Sequence, residues 1–122
     1  MKKTSPFLAI FFLLFFTVPL MADTPAPGTV TMLDLGSDKC APCVMMQPIL
    51  AKLEKSYRGK AAIIFIDVLQ DFSLAVKYNI SLIPTQIFYT KDGVEVFRHQ
   101  GFMSEEQIVA QLKTMGVPAP QE

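Results

Sequence analysis

The sequence predicts a single α/β domain with the element order β-α-β-α-β-β-α. Three observations support this. Apolar runs of strand length alternate with segments whose apolar residues recur at helical spacing. Gly36, Gly59, Asn79 and Gly93 stand where one such segment hands over to the next. And 122 residues, 51% of them hydrophobic, suffice for one compact core but not for two.

Residues 1–22 are set apart from that domain. Lys2 and Lys3 precede an apolar run from Phe7 to Val18, which Pro19 and the small Ala22 follow. This is the composition of a secretory signal peptide, and the run is shorter than the roughly 20 apolar residues a membrane-spanning helix needs. Cleavage after Ala22 is expected, with retention as a membrane anchor the alternative. Residues 23–28, containing Pro25, Pro27 and Gly28, read as a linker, so the domain is expected over 29–118 with 119–122 a tail.

Val30 to Leu35 reads as a first buried strand ending at Gly36. A polar loop, Ser37 to Lys39, leads past the cysteines into a helix whose apolar positions are Met46, Ile49, Leu50, Leu53 and Tyr57, with Gly59 as its stop. Ala61 to Val68 is nearly continuous and rich in isoleucine, as expected of a central strand covered on both faces. A short helix from about Asp71 to Tyr78 follows, and Asn79 suits the left-handed residue after its end. Thr85 to Tyr89 and Val94 to Phe97 are β-rich and flank Lys91-Asp92-Gly93, a hairpin signal. Ser104 with Gln107 forms a capping box for a last helix, whose Ile108, Leu112 and Met115 share one face before Gly116 and Pro118 end it.

Composition excludes some functions. The 11 basic and 11 acidic residues include no basic run, so nothing points to nucleic acid, which needs a concentrated positive surface. Loss of Lys2 and Lys3 with the leader would leave 9 basic against 11 acidic residues, a mildly acidic mature protein.

The chemistry rests on the cysteine pair. In an exported protein two cysteines ordinarily form a structural staple. A bridge between Cys40 and Cys43 closes only a tiny loop, however, and the entropic benefit of a disulfide grows with loop length. Redox use is the better reading. At a helix start, unpaired N–H groups and the positive end of the helix dipole favour a thiolate, which makes Cys40 the nucleophile. Cys43, one turn in, is placed to resolve a mixed disulfide on Cys40, and Pro42 beside Ala41 fits a first-turn position that needs no N–H partner. A metal pair is the competing reading. A closed zinc site needs four ligands, and only His99, which reads as a solvated strand-end residue, would add a soft donor. Met45 and Met46 suggest copper, but helix packing explains one of them. Haem attachment is excluded because Val44, not histidine, follows Cys43. No cofactor beyond a Cys40–Cys43 redox-active disulfide is expected.

Four separated features together resemble the thioredoxin family from about Val30 onward. Cys40-Ala41-Pro42-Cys43 runs into a helix whose Pro48 matches the proline that kinks this helix in thioredoxins. Ile83-Pro84-Thr85 looks like the family's Ile-Pro-Thr, whose cis proline faces the cysteines. Asp34, six residues before Cys40, stands at the position of the family's buried proton-handling aspartate. Asp92-Gly93 and Gly101 match the hairpin turn and the glycine after the last strand.

The resemblance implies a thioredoxin-like fold, and the residues between Ala22 and Cys40 are too few for the strand and helix that open a full-length thioredoxin. A trimmed four-stranded mixed sheet flanked by helices is therefore expected. It further implies that Asp34, as a buried acid with a raised pKa, takes the proton from Cys43 during resolution, and that Pro84 holds the Ile83 backbone open to pair with an extended substrate. The plain alternatives are a strand-end carboxylate bonded to the following loop and an ordinary turn proline. Two departures stand out. Lys39 replaces the tryptophan that usually precedes the first cysteine, and the lysine that accompanies the family's aspartate has no match in 61–66.

The resulting expectation is an exported, periplasmic and monomeric thiol–disulfide oxidoreductase that reduces protein disulfides. The reducing direction follows from the resemblance of Ala-Pro between the cysteines, and of Ile before Pro84, to reducing thioredoxins. Outside the cytoplasm such a reductant needs electrons from a membrane-embedded thiol electron-transporter. The alternatives are a disulfide-forming oxidase and a copper- or thiol-handling binding protein serving cytochrome or oxidase maturation.

Overall fold

A computed structural model describes residues 24–120; the expected leader, the first linker residue and the last two residues lie outside the described residues. The elements are β1 (Val30–Gly36), α1 (Ala41–Ser56), β2 (Ala61–Asp67), α2 (Phe72–Lys77), β3 (Thr85–Tyr89), β4 (Glu95–Gln100) and α3 (Glu105–Thr114). They build the expected four-stranded mixed sheet, ordered β2-β1-β3-β4, with β1 parallel to β2 and both other pairs antiparallel.

One expectation is corrected. The isoleucine-rich Ala61–Asp67 strand is at the sheet edge, and the central strands are β1 and β3, every residue of which is buried. A parallel strand joined through a helix has apolar residues on both faces whether it is central or not, because the faces are covered independently of the edge. Continuity of an apolar run therefore reports covered faces and not the number of neighbouring strands. The last strand also runs further than expected, to Gln100, since polar Arg98, His99 and Gln100 mask its period.

Strand alternation divides the core in two. Val30, Met32 and Phe88 face Met46, Leu50 and Leu53 of α1 and Ile108 and Leu112 of α3. Leu33, Leu35, Ile87 and Tyr89 face Ala75 of α2 and Tyr78 at its end. The helix ends follow local chemistry. After α2, Asn79 adopts φ 52°, and the N–H groups of Asn79 and Ile80 return to the carbonyls of Val76 and Ala75 at 3.1 and 2.8 Å. At α3 both halves of the Ser104–Gln107 capping box are formed, at 3.3 and 2.9 Å.

Residues 24–29 lie against this body. Thr24 Oγ1 and the Tyr78 hydroxyl are 2.8 Å apart, Ala26 N–H donates to Thr31 Oγ1 at 3.1 Å, and Gly28 N–H donates to the Lys91 carbonyl at 3.1 Å.

Candidate active site

β1 delivers the chain to the site. After Gly36, Ser37 is buried and its hydroxyl accepts the Lys39 N–H at 3.1 Å, which turns the loop so that Cys40 becomes the N-cap of α1. Its carbonyl accepts the first helical bond from Val44 at 2.9 Å, and its Sγ accepts the Cys43 N–H at 3.4 Å. A sulfur thus occupies the place where a serine or aspartate oxygen usually caps a helix, and a thiolate there would be favoured by the same N–H and by the helix dipole. Pro42 is in the first turn, where its missing N–H leaves nothing unpaired.

Cys40 and Cys43 are joined as a disulfide with Cα atoms 5.2 Å apart. The two sulfurs are not equivalent. Cys40 is half-buried, whereas Cys43 is fully enclosed. Enclosure comes partly from Gly36: a Cβ built there would meet Cys43 Sγ at 3.1 Å and Phe65 Cε2 at 3.3 Å, so only glycine lets α1 settle this close to β1 without something shifting.

The Ile83–Pro84 loop comes from the other side. Its peptide bond is cis, and the Ile83 carbonyl oxygen is 3.9 Å from Cys40 Sγ. In the disulfide the sulfur has no proton to give, so this is a close approach; a reduced Cys40 thiol would have a hydrogen to direct there. Thr85 anchors the loop by donating its hydroxyl to the Leu82 carbonyl at 2.6 Å. Next to Ile83 a shallow groove of about 170 Å³ is lined by Val68, Leu69, Phe72, Ala75, Ile80 and Leu82. Phe72, Leu69 and Leu82 are exposed there. Lys39, at the position of the family's tryptophan, is exposed on the loop before Cys40.

Asp34 is beneath the pair. It is fully buried, two residues before Gly36 on the same face of β1, and hence on the side of the sheet that carries Cys43. Its Oδ1 accepts from Gln86 Nε2 at 2.8 Å, whereas Oδ2 is buried with no hydrogen-bond partner. Burial pushes the carboxyl pKa up to about 6, against which the Gln86 bond pulls it down. The bond therefore runs across the sheet and not to the following loop.

Gln86 and His99 join the site through the sheet register. Gln86 lies outside the residues the motif implies, yet a glutamine inside Thr85-Gln86-Ile87-Phe88-Tyr89 is a polar break in an otherwise buried strand and is itself a signal. His99 is no solvated strand-end residue: it is half-buried, and its Nδ1 lies 2.8 Å from Gln86 Oε1. The two methionines part company. Met46 is buried with Sδ 3.3 Å from Gln86 Nε2, while Met45 is 61% exposed, so they do not converge on one ion. Among the described residues there is no cluster of three or more His, Cys, Asp or Glu side chains placed to hold a metal.

The geometry agrees with comparisons to known proteins. The family model for thioredoxin matches residues 26–114. A thioredoxin of Staphylococcus aureus is 37% identical over 90 residues, spanning 74% of this chain and 86% of that protein. A mutant thioredoxin from Halobacterium salinarum NRC-1 superposes with a TM-score of 0.66 at 26% identity, over 76% of this chain and 80% of that one. A malarial protein does so with a TM-score of 0.65 at 28% identity, over 71% and 97%. The chain belongs to the thioredoxin family and, with its Cys40–Cys43 disulfide, is a thiol–disulfide oxidoreductase.

Proposed function

We propose that this thioredoxin-family protein is exported and reduces disulfides of other proteins outside the cytoplasm. The observation that carries the reading is the asymmetry of the pair: an external disulfide can reach the sulfur of half-buried Cys40 but not that of enclosed Cys43. The Cys40 thiolate attacks one substrate sulfur, and the other substrate sulfur leaves as a thiolate and takes a proton from water. Cys43 then passes its proton to the unpartnered Asp34 Oδ2 and attacks Cys40 Sγ, which releases the second substrate sulfur as a thiolate that takes its proton from water, and Asp34 returns its own proton to solvent. The substrate gains two electrons and two protons, and the Cys40–Cys43 disulfide is left behind. Ile83, held by the Pro84 loop, presents its backbone to an extended substrate segment, and the apolar surface of Leu69, Phe72 and Leu82 supports apolar neighbours of that segment.

Export rests on Lys2, Lys3 and the Phe7–Val18 run ahead of Ala22. A membrane-embedded dithiol carrier then supplies the two electrons that restore the dithiol, because the surrounding compartment does not.

Equilibration with thiol–disulfide buffers tests the direction. A potential near about −270 mV agrees with a reductase, whereas one near about −120 mV makes the protein an oxidant and overturns the reading. Replacing Cys43 by Ala is expected to trap substrates on Cys40. Recovery of no mixed disulfide from cells expressing that variant would argue for a binding protein without turnover.

A further inference from the structure

Four residues, one from each strand, form a single row across the sheet: Phe65, Asp34, Gln86 and His99 are successive cross-strand partners in the register of β2, β1, β3 and β4. Phe65 packs at the Gly36–Cys43 contact, and the other three are joined by hydrogen bonds. Both polar atoms of the Gln86 carboxamide have partners. Nε2 faces Asp34 Oδ1 at 2.8 Å and Met46 Sδ at 3.3 Å, and Oε1 faces His99 Nδ1 at 2.8 Å. A carboxylate only accepts, so the amide nitrogen must point to Asp34; an amide oxygen only accepts, so His99 Nδ1 must carry the hydrogen. With Asp34 ionised, the direction of every bond in the row is therefore fixed.

From this geometry we infer that Gln86 and His99 are positioning residues: they hold the Asp34 carboxyl with Oδ1 engaged and Oδ2 free for the Cys43 proton, and they couple that buried acid to an imidazole at the protein surface. The role at Cys43 rests on the reading of Asp34 given above, but the coupling does not.

The physical basis is polarisation along a hydrogen-bonded chain. An N–H donated into Oε1 makes the opposite amide N–H a stronger donor, and an imidazolium does so more than a neutral ring. His99 thereby favours the ionised form of Asp34. Competing charges are few. On this face α1 brings the Cys43 sulfur against Gly36 and the Met46 sulfur to Gln86, and β2 pairs Phe65 with Asp34. Asp67, at the end of β2, binds the loop N–H groups of Leu69 and Gln70. On α3, Glu105 is paired with Lys52 of α1, and on β4 Arg98 is turned to Glu95 and to the carbonyls of Tyr78 and Asn79. Glu54 and Lys55 of α1 and Glu106 and Lys113 of α3 are the remaining charges on the two helices over this face. Among the described residues neither Asp34 nor His99 enters an ion pair.

The test is to titrate Asp34 by its carboxyl carbon resonance in the wild-type protein and in the variants His99→Phe and His99→Gln. Loss of the ring donor in His99→Phe is expected to raise the Asp34 midpoint by about half a pH unit, roughly threefold in its proton affinity. His99→Gln, which still offers an N–H, is expected to recover most of that shift. An Asp34 midpoint that ignores both His99 variants, or moves equally in both, overturns the inference. These midpoints do not depend on turnover, so a protein that fails to reduce disulfides but titrates as described would refute the reductase reading alone.

Discussion

Two neighbouring rows of side chains cross the sheet beneath α1 and α3, and they differ sharply. The first, Ile63, Met32, Phe88 and Phe97, is apolar from edge to edge, with the two phenylalanine rings edge-to-face at 5.7 Å between centroids. The second, one pleat nearer the cysteines, is Phe65, Asp34, Gln86 and His99. Backbone pairing is the same in both, and both are covered by the same helix, yet one row is packing and the other is a hydrogen-bonded chain with an orphaned carboxylate oxygen. A buried polar group that leaves a partner unmet costs stability, so polar side chains in the second row are not explained by folding. The disulfide is at that end of the sheet, and the fold keeps its polar groups where the chemistry is.

The largest effect that tests this contrast is on the apolar row. Phe88 is fully buried, and Phe88→Ala is expected to cost about 3–5 kcal/mol through lost burial and the cavity left behind. Chemical denaturation measures the loss. The comparison predicts that the redox potential and the Asp34 titration of the folded variant stay near wild type; if either moves with Phe88, the two rows are not separable.

The unequal legibility of the sequence follows from the same contrast. The apolar row was visible because strand period and hydrophobicity coincide in Met32, Ile63 and Phe88, and the helix ends were visible because Asn79, Gly116 and the Ser104–Gln107 box act within a few residues. Cys40, Cys43 and Pro42 were legible for that local reason too. Asp34 required a resemblance to be noticed, and the Gln86–His99 link required knowing the register: those residues are partners only because Thr85 pairs with Gln100 and the hairpin sets the offset. Position of β2 at the edge was hidden because strand order is a property of pairing, which the covered faces of a strand do not report.

A pH-dependent effect of intermediate size belongs to the polar row. Folding moves the Asp34 carboxyl from 3.8 to about 6, so between those values the folded state binds more protons than the unfolded one. Stability from this group is then fully present below about pH 4 and is lost as pH rises through about 6, a change on the order of 3 kcal/mol by the usual conversion. Asp34→Asn removes the ionisation. Relative to the wild type it should gain stability between pH 4 and pH 7 by about that amount, whatever offset its amide imposes at all pH values. A stability difference flat across this range would mean that Asp34 is not a buried titrating acid in the folded protein.

The smallest expected effect lies where the two rows meet through α1. Met46 is buried in the apolar core with Leu50 and Leu53, yet its sulfur is also the partner of the second Gln86 N–H at 3.3 Å. Met46→Leu nearly conserves volume and hydrophobicity, so packing alone allows a loss of less than about 1.5 kcal/mol. Thioether sulfur is a weak acceptor, and losing it leaves one amide hydrogen without a partner while Nε2 keeps its bond to Asp34 and Oε1 keeps His99. The Asp34 midpoint should therefore hardly move, because the donor that faces it is still oriented from both ends. A midpoint that rises as far in Met46→Leu as in His99→Phe would show that helix packing, and not the imidazole, sets the amide, and the boundary between the two rows would then run through α1 instead of along the sheet.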